Sequence, residues 1–302
     1  MTYYPEGTNS SLVKKFNSVS ELKEAIKSRE IIEGRVTVCD SQHNLYVNLG
    51  GFRGMIPRLE GAVGILEGTV RDIALISKVN RTVCFRIMGL HKDESGEIIP
   101  VLSRRNVQLE CKSEFIDKLK TGDIIDAKVT RLEDFGAFID IGCGLNSLIP
   151  VDMLSVSRIS HTSERLKTNQ LIKTVLKSRE DSKLTFSLKE LLGTWEENVS
   201  AFCAGETVSG IVRSIETYGI FVELAPNLAG LADPRSDVFE GQSVSVFIKS
   251  VSDEKMKIKL AIAETFPEAP PLTELKYYVF DNHIDEWLYS PKNSSKIIYT
   301  KF

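Results

Sequence analysis

Thr121-Gly-Asp-Ile-Ile-Asp-Ala-Lys-Val-Thr-Arg-Leu-Glu-Asp-Phe-Gly-Ala-Phe-Ile-Asp-Ile-Gly142 decides the fold. It reads as two β-strands with period-2 alternation, joined by a tight acidic turn. In its second half, Ile139 and Ile141 point one way while Phe138 and Asp140 point the other. Two faces cannot both be core in a small β-unit, and the isoleucine face is the better core. Phe138 is therefore expected outside, with an acid beside it. A one-residue slip of register would reverse this and make Phe138 a core residue.

The stretch recurs along the chain. Asp126-Ala-Lys-Val-Thr130 is matched by Glu33-Gly-Arg-Val-Thr37 and Ser209-Gly-Ile-Val-Arg213. Ala137-Phe-Ile-Asp-Ile141 is matched by Leu45-Tyr-Val-Asn-Leu49 and Ile220-Phe-Val-Glu-Leu224. A third short strand follows in each copy, at Gly54-Met-Ile-Pro57, Ser147-Leu-Ile-Pro150 and Gly230-Leu-Ala-Asp233. A late strand pair closes each unit, clearest at 171–177 with 183–188 and at 243–250 with 257–262. From copy two to copy three the offset is 83 residues, because 218 − 135 and 221 − 138 are both 83. Five short strands in so small a unit suit a closed barrel, which leaves no exposed edge. The expectation is a mostly β chain of three tandem five-stranded OB-type barrels joined by helical linkers, with a small aromatic-rich C-terminal extension.

The divisions are 1–29 (N-terminal helical segment), 30–107 (divergent barrel 1), 108–120 (linker), 121–190 (barrel 2), 191–204 (linker), 205–263 (barrel 3) and 264–302 (extension). Ser18-Val-Ser-Glu21 is a capping pattern that starts a helix over 22–29. The linkers carry amphipathic stripes at 106–119 and 189–202, suited to packing on the barrels. Arg104 and Arg105 read as the solvated end of a strand. After Pro267, Pro270 and Pro271 come seven aromatics within 27 residues, among them Tyr277, Phe280, Trp287 and Tyr289. That density predicts an ordered three-strand or strand–turn–strand piece that lies as a lid on copy three, or else a docking or extra stacking surface.

With these repeats in place, the 121–142 stretch strongly resembles the opening of the S1 RNA-binding domain, the OB-type unit repeated in bacterial ribosomal protein S1. Copy three, from Gly205 to Leu224, is similar but less close. Copy one lacks the aromatic–Gly–x–Phe element and resembles the family through Gly50-Gly-Phe-Arg-Gly-Met-Ile-Pro57. The resemblance covers about residues 30–262, and the layout is similar to that of short S1-like proteins of bacteria. It implies single-stranded RNA as partner, with the small ribosomal subunit open as a second, and a role in translation. It further implies a contact face, which falls on Phe135 and Phe138 in copy two and on Tyr218 and Phe221 in copy three. In copy one it falls on His43 and Tyr46, near Arg53. The family's His position holds Pro57, Pro150 and Asp233 here. Its last-hairpin Asp and Arg fall near Arg179 and Lys183 in copy two, and on Asp253 and Lys257 in copy three. Lys128 and Arg131 stand ready for phosphates. Exposed aromatics suit this partner because every base has a π-face.

Charge narrows the mode of binding. The chain has 302 residues with 38 Lys+Arg against 41 Asp+Glu, a net −3. A strong phosphate clamp would show a basic excess. Residues 33–107 hold 10 basic and 8 acidic side chains, 121–190 hold 10 and 10, and 205–262 hold 6 and 8. The resulting gradient, +2, 0 and −2, predicts stacking with local basic help. A protein-docking scaffold for a ribosome-associated or RNA-decay assembly stays open beside RNA binding.

Nothing points to catalysis, a cofactor or a metal. There is no Walker loop, GxGxxG, HExxH or GxSxG. His43, His91, His161 and His283 lack ligand spacing. Cys39, Cys84, Cys111, Cys143 and Cys203 form no CxxC pair and read as reduced cytoplasmic thiols. No apolar run reaches a membrane span and no signal peptide is expected at the start.

Overall fold

A computed structural model describes residues 3–181, 183–267 and 274–302. Pro270 and Pro271, which the sequence offers as a linker, lie outside the described residues. Among the described residues no helix is long and apolar enough to cross a membrane.

The chain forms two compact units, Met1–Leu119 with Asp140–Asn146, and Lys120–Ile139 with Ser147–Phe302. The first unit opens with helix α1 (Val19–Ser28). Ser18 caps it, its Oγ accepting from the Glu21 amide at 3.3 Å, and Arg29 ends it in the left-handed region. Leu22 and Ala25 are the buried residues of α1. They join the interior of a barrel made by β1 (Ile32–Cys39), β2 (Leu45–Asn48), β3 (Arg53–Ile56), β4 (Thr82–Lys92) and β5 (Ile98–Ser103). Val36, Leu45, Val47, Ile56, Phe85 and Leu102 fill its core without solvent contact. A short helix, α2 (Ile73–Ile76), lies between β3 and β4, and α3 (Arg104–Glu114) follows β5.

Arg104 departs from the solvated strand end expected of it. It is 2% exposed and is the first residue of α3, which Ser103 caps. Its Nε donates to Glu6 Oε1 at 2.6 Å and its Nη2 to Glu6 Oε2 at 3.1 Å. Burial pushes the Glu6 carboxyl up, but Arg104 and Lys78 outweigh it and hold it at about 2. Asp140 also departs from expectation. It is buried, not set beside Phe138 in solvent, because its oxygens accept from the backbone amides of Glu6, Gly142 and Gly144 at 2.8–3.0 Å. Burial and the Glu6 charge raise it to about 6. Cys84, Cys111 and Cys143, far apart in sequence, are all buried in this unit.

The second unit holds two more closed barrels. Barrel 2 is β6 (Ile124–Glu133), β7 (Gly136–Asp140), β8 (Asn146–Pro150), β9 (Leu171–Glu180) and β10 (Lys183–Ser187). Barrel 3 is β11 (Thr207–Glu216), β12 (Gly219–Ala225), β13 (Leu228–Ala232), β14 (Ser243–Ser252) and β15 (Lys257–Phe266). In all three barrels the strands run in the cyclic order first, second, third, fifth, fourth, and the third pairs in parallel with the fifth. This is the expected mostly β, OB-type architecture.

Between barrels 2 and 3 the expected 189–202 helix is interrupted. A 3-10 turn at Lys189–Leu191 ends where Gly193 takes φ 86°, and a new helix, α4 (Trp195–Val199), starts from a Thr194–Glu197 capping box. Trp195, on the predicted stripe, is buried in the core of barrel 3. A buried ion network joins the two barrels of this unit. Arg165, with no exposed surface, donates to both Glu223 oxygens at 2.8 and 2.7 Å, and Arg213 reaches the same carboxylate at 2.8 Å. Burial pushes Glu223 up, yet the two guanidiniums win and hold it below the usual range.

Of the two forms expected for the extension, the strand–turn–strand is found, with β16 (Glu286–Leu288) paired with β17 (Tyr299–Lys301). Trp287 and Tyr289 enter the core of barrel 3, as a lid would. Tyr277, Val279, Ile284 and Phe302 pack instead on barrel 2, against Ile124, Val175 and Leu191. A two-sided tie was outside the sequence reading. Backbone bonds of 2.9 Å run from Ile124 to Asn282 and from Ile284 to Gly122, and His283 Nδ1 meets Asp123 Oδ1 at 2.6 Å.

That histidine makes the tie sensitive to pH. Its bond to Asp123 raises its pKa above 6.5, with Asp285 helping. A group raised in the fold adds stability that is complete below its unfolded value, near 6.5, and fades as pH rises through its folded value. His283→Gln should therefore speed amide hydrogen exchange at Ile124 and Ile284 relative to wild type at pH 6. The ratio of the two proteins' rates should fall toward one as pH rises. A ratio independent of pH would show that the imidazolium contributes nothing.

Candidate nucleic-acid interface

The alternation that closes barrel 2 sets its outer face. Ala137, Ile139 and Ile141 are buried, so Phe138 stands on the outside of β7, half-buried. Phe135, 57% exposed, sits in the preceding turn. The two rings meet edge to face at 5.9 Å and 90°. Barrel 3 repeats the arrangement. Ile220 and Val222 are buried, Phe221 faces out, and Tyr218 is 64% exposed. Tyr218 and Phe221 meet at 6.2 Å and 88°. The glycine between each pair has a packing reason. A Cβ on Gly136 would lie 2.6 Å from the Ile149 carbonyl oxygen, and one on Gly219 would lie 2.7 Å from that of Ala232. The third strand approaches the second too closely there for any side chain.

Barrel 1 has the position but a different surface. Thr37 Oγ1 donates to the Tyr46 carbonyl at 3.1 Å, as Thr130 Oγ1 does to Phe138. Tyr46 is thus the counterpart of Phe138, and Phe221 follows the same bulge in barrel 3. The turn is longer, however. Asp40 accepts from the amides of Gln42 and Asn44 at 2.9 and 2.8 Å, and His43 adopts φ 62°. His43 Nδ1 lies 4.0 Å from Asp72. The Arg53 guanidinium sits 4.2 Å over the Tyr46 ring, and the Tyr46 hydroxyl donates to Asp40 at 3.3 Å. One face of this aromatic is already covered by a cation.

The basic candidates are distributed differently. Lys128 lies on β6 and faces outward with Thr130, half-buried, as Ala127 and Val129 turn inward. Arg131 is exposed and ion-paired with Glu133. Arg179 and Lys183 are exposed on the β9–β10 hairpin, where Lys183 stands opposite Glu180. Lys257, on the β14–β15 hairpin, lines one groove with Phe221. Of the other positions taken from the resemblance, Asp253 accepts from the Trp195 indole at 3.0 Å. Asp233 pairs with Lys249 at 2.6 Å, which holds its carboxyl below the usual range. Lys255 and Lys296 also line the Phe221 groove and were not singled out from the sequence.

A family model described as S1 RNA binding domain matches residues 118–189. Small ribosomal subunit protein bS1 of Staphylococcus aureus is 31% identical over 283 residues, covering 86% of this chain and 69% of that protein. The Bacillus cereus protein named small ribosomal subunit protein bS1 homolog is 30% identical over 264 residues, covering 82% and 66%. Among solved structures, a multidomain protein with nucleic acid binding domains from Streptococcus pneumoniae matches 84% of this chain and 76% of its own, at 14% identity and a TM-score of 0.25.

The outward register of β7 is open to a direct check. Ile139→Ala empties a core site and should destabilise by about 2–5 kcal/mol. Phe138→Ala, on the outside, should destabilise clearly less in the same denaturant titration. Equal losses would place Phe138 in the core.

Proposed function

The chain belongs to the bacterial ribosomal protein S1 family, and from that premise we propose that it binds single-stranded RNA by stacking bases on aromatics presented by its barrels, acting in translation. The observation that carries this is the recurrence, 83 residues apart, of one edge-to-face aromatic pair on the outer face of the second strand. An isolated outward aromatic is ordinary in a sheet. The same pair twice, with an exposed ring each time, is a repeated platform.

Phe135, Phe138, Tyr218 and Phe221 take bases, and Lys128, Arg179, Lys183 and Lys257 lie nearby in the fold to meet phosphates. Arg131, which is ion-paired with Glu133, lies on the same strand as Lys128. Barrel 1 contributes through Arg53 over Tyr46 rather than through an open ring. Duplex grooves offer no unstacked base, so this surface selects single strands. Each barrel alone binds weakly, and one strand crossing several raises the effective concentration at each. The relatives named as small ribosomal subunit proteins make that subunit the setting we propose for this binding.

Each stack contributes roughly 1–3 kcal/mol per base. Phe135→Ala combined with Phe138→Ala should therefore weaken single-stranded RNA binding at least about tenfold in an anisotropy titration. Unchanged RNA affinity with a lost protein contact would favour the docking-scaffold reading instead.

A further inference from the structure

The C-terminal extension meets barrel 3 at a groove of about 280 Å³, which includes Phe221. Trp195 and Tyr289, 2% and 4% exposed, form its apolar base. Lys255, Lys257 and Lys296, all exposed, stand around it. Two of these lysines come from the β14–β15 hairpin of the barrel. The third comes from the turn between β16 and β17, more than thirty residues later in the chain.

Hydrogen bonds fix the tail there. The Tyr289 hydroxyl donates to the Asn227 carbonyl at 2.5 Å, and the Trp195 amide donates to the Tyr289 carbonyl at 2.9 Å. The Ser295 amide donates to the Glu254 carbonyl at 3.1 Å. That last bond ties the tail turn to the hairpin turn, and the residue after each, Lys296 and Lys255, lines the groove. The hairpin's Asp253 is turned to the Trp195 indole. Among the described residues no carboxylate pairs with Lys255, Lys257 or Lys296. Three exposed lysines gathered around a groove that includes an outward aromatic suit an anionic ligand with a flat ring.

We propose that this groove seats one nucleotide of single-stranded RNA, its base on Phe221 and its phosphate among Lys255, Lys257 and Lys296. The proposal rests on the RNA-binding reading above and extends the site to the C-terminal segment. Lys296 adds to this face of barrel 3 a cation from outside the barrel's own residues 205–262, which sum to −2.

The test uses the full chain and a fluorescent single-stranded oligouridine, titrated by anisotropy over a salt series. Lys296→Ala should lower the slope of log affinity against log salt by about 0.7, the value of one phosphate contact on a single strand. It should also weaken low-salt binding by roughly threefold to tenfold, a uniform loss as expected of a phosphate contact. Lys292→Ala, which alters an exposed lysine of the same segment outside the groove, should change neither. Wild-type slope and affinity for Lys296→Ala, with the Phe135/Phe138 double variant still weakened, would overturn this proposal and leave the RNA reading standing. If the double variant also binds like wild type, both fail.

Discussion

Closing five strands into a barrel gives every strand an inside, and that constraint governs the rest of this structure. Once Ala137 and Ile139, or Ile220 and Val222, are committed to the interior, the residue between each pair has nowhere to go but outward. Phe138 and Phe221 are outside for that reason and not because of any preference of their own. The close third strand excludes a side chain at Gly136 and Gly219, and across these glycines Phe135 and Tyr218 meet their partners edge to face. The aromatic–Gly–x–Phe pattern is thus a packing solution that creates a surface. In barrel 1 a longer turn, anchored on Asp40, replaces it, and the surface changes with it.

Net charge describes such a protein poorly, because much of the charge is structural. Arg104 with Glu6, and Arg165 and Arg213 with Glu223, are buried pairs. Desolvation of both partners offsets much of their attraction, so they add little net stability. Removing one partner, however, strands the other and costs about 3–5 kcal/mol. They specify which surfaces meet rather than supply binding. The charges left for a ligand are local, such as the lysines around Phe221, and a sum over the chain hides them.

What was legible in the sequence is what short-range physics controls. Period-2 alternation located the barrel strands, and the 83-residue offset matched Phe135 to Tyr218 and Phe138 to Phe221. The illegible parts depend on partners distant in sequence. Arg104 looks solvated in the sequence because Glu6, which neutralises it, lies 98 residues away. Parity puts Asp140 on the exposed side, yet its oxygens are taken by amides, one of them from Glu6. Gly193 broke a helix whose apolar stripe looked continuous, since a stripe records burial and not backbone conformation. Lys296 was lost among tail aromatics, because no local pattern reveals a register between the tail and a hairpin.

The central claim is that binding comes from unstacked bases on outward aromatics, with few phosphate contacts. It is tested most directly by titrating the full chain with single- and double-stranded RNA of one sequence, by anisotropy across a salt series. The account predicts clear preference for the single strand at every salt concentration. Equal affinity for both forms, or none for either, would contradict it.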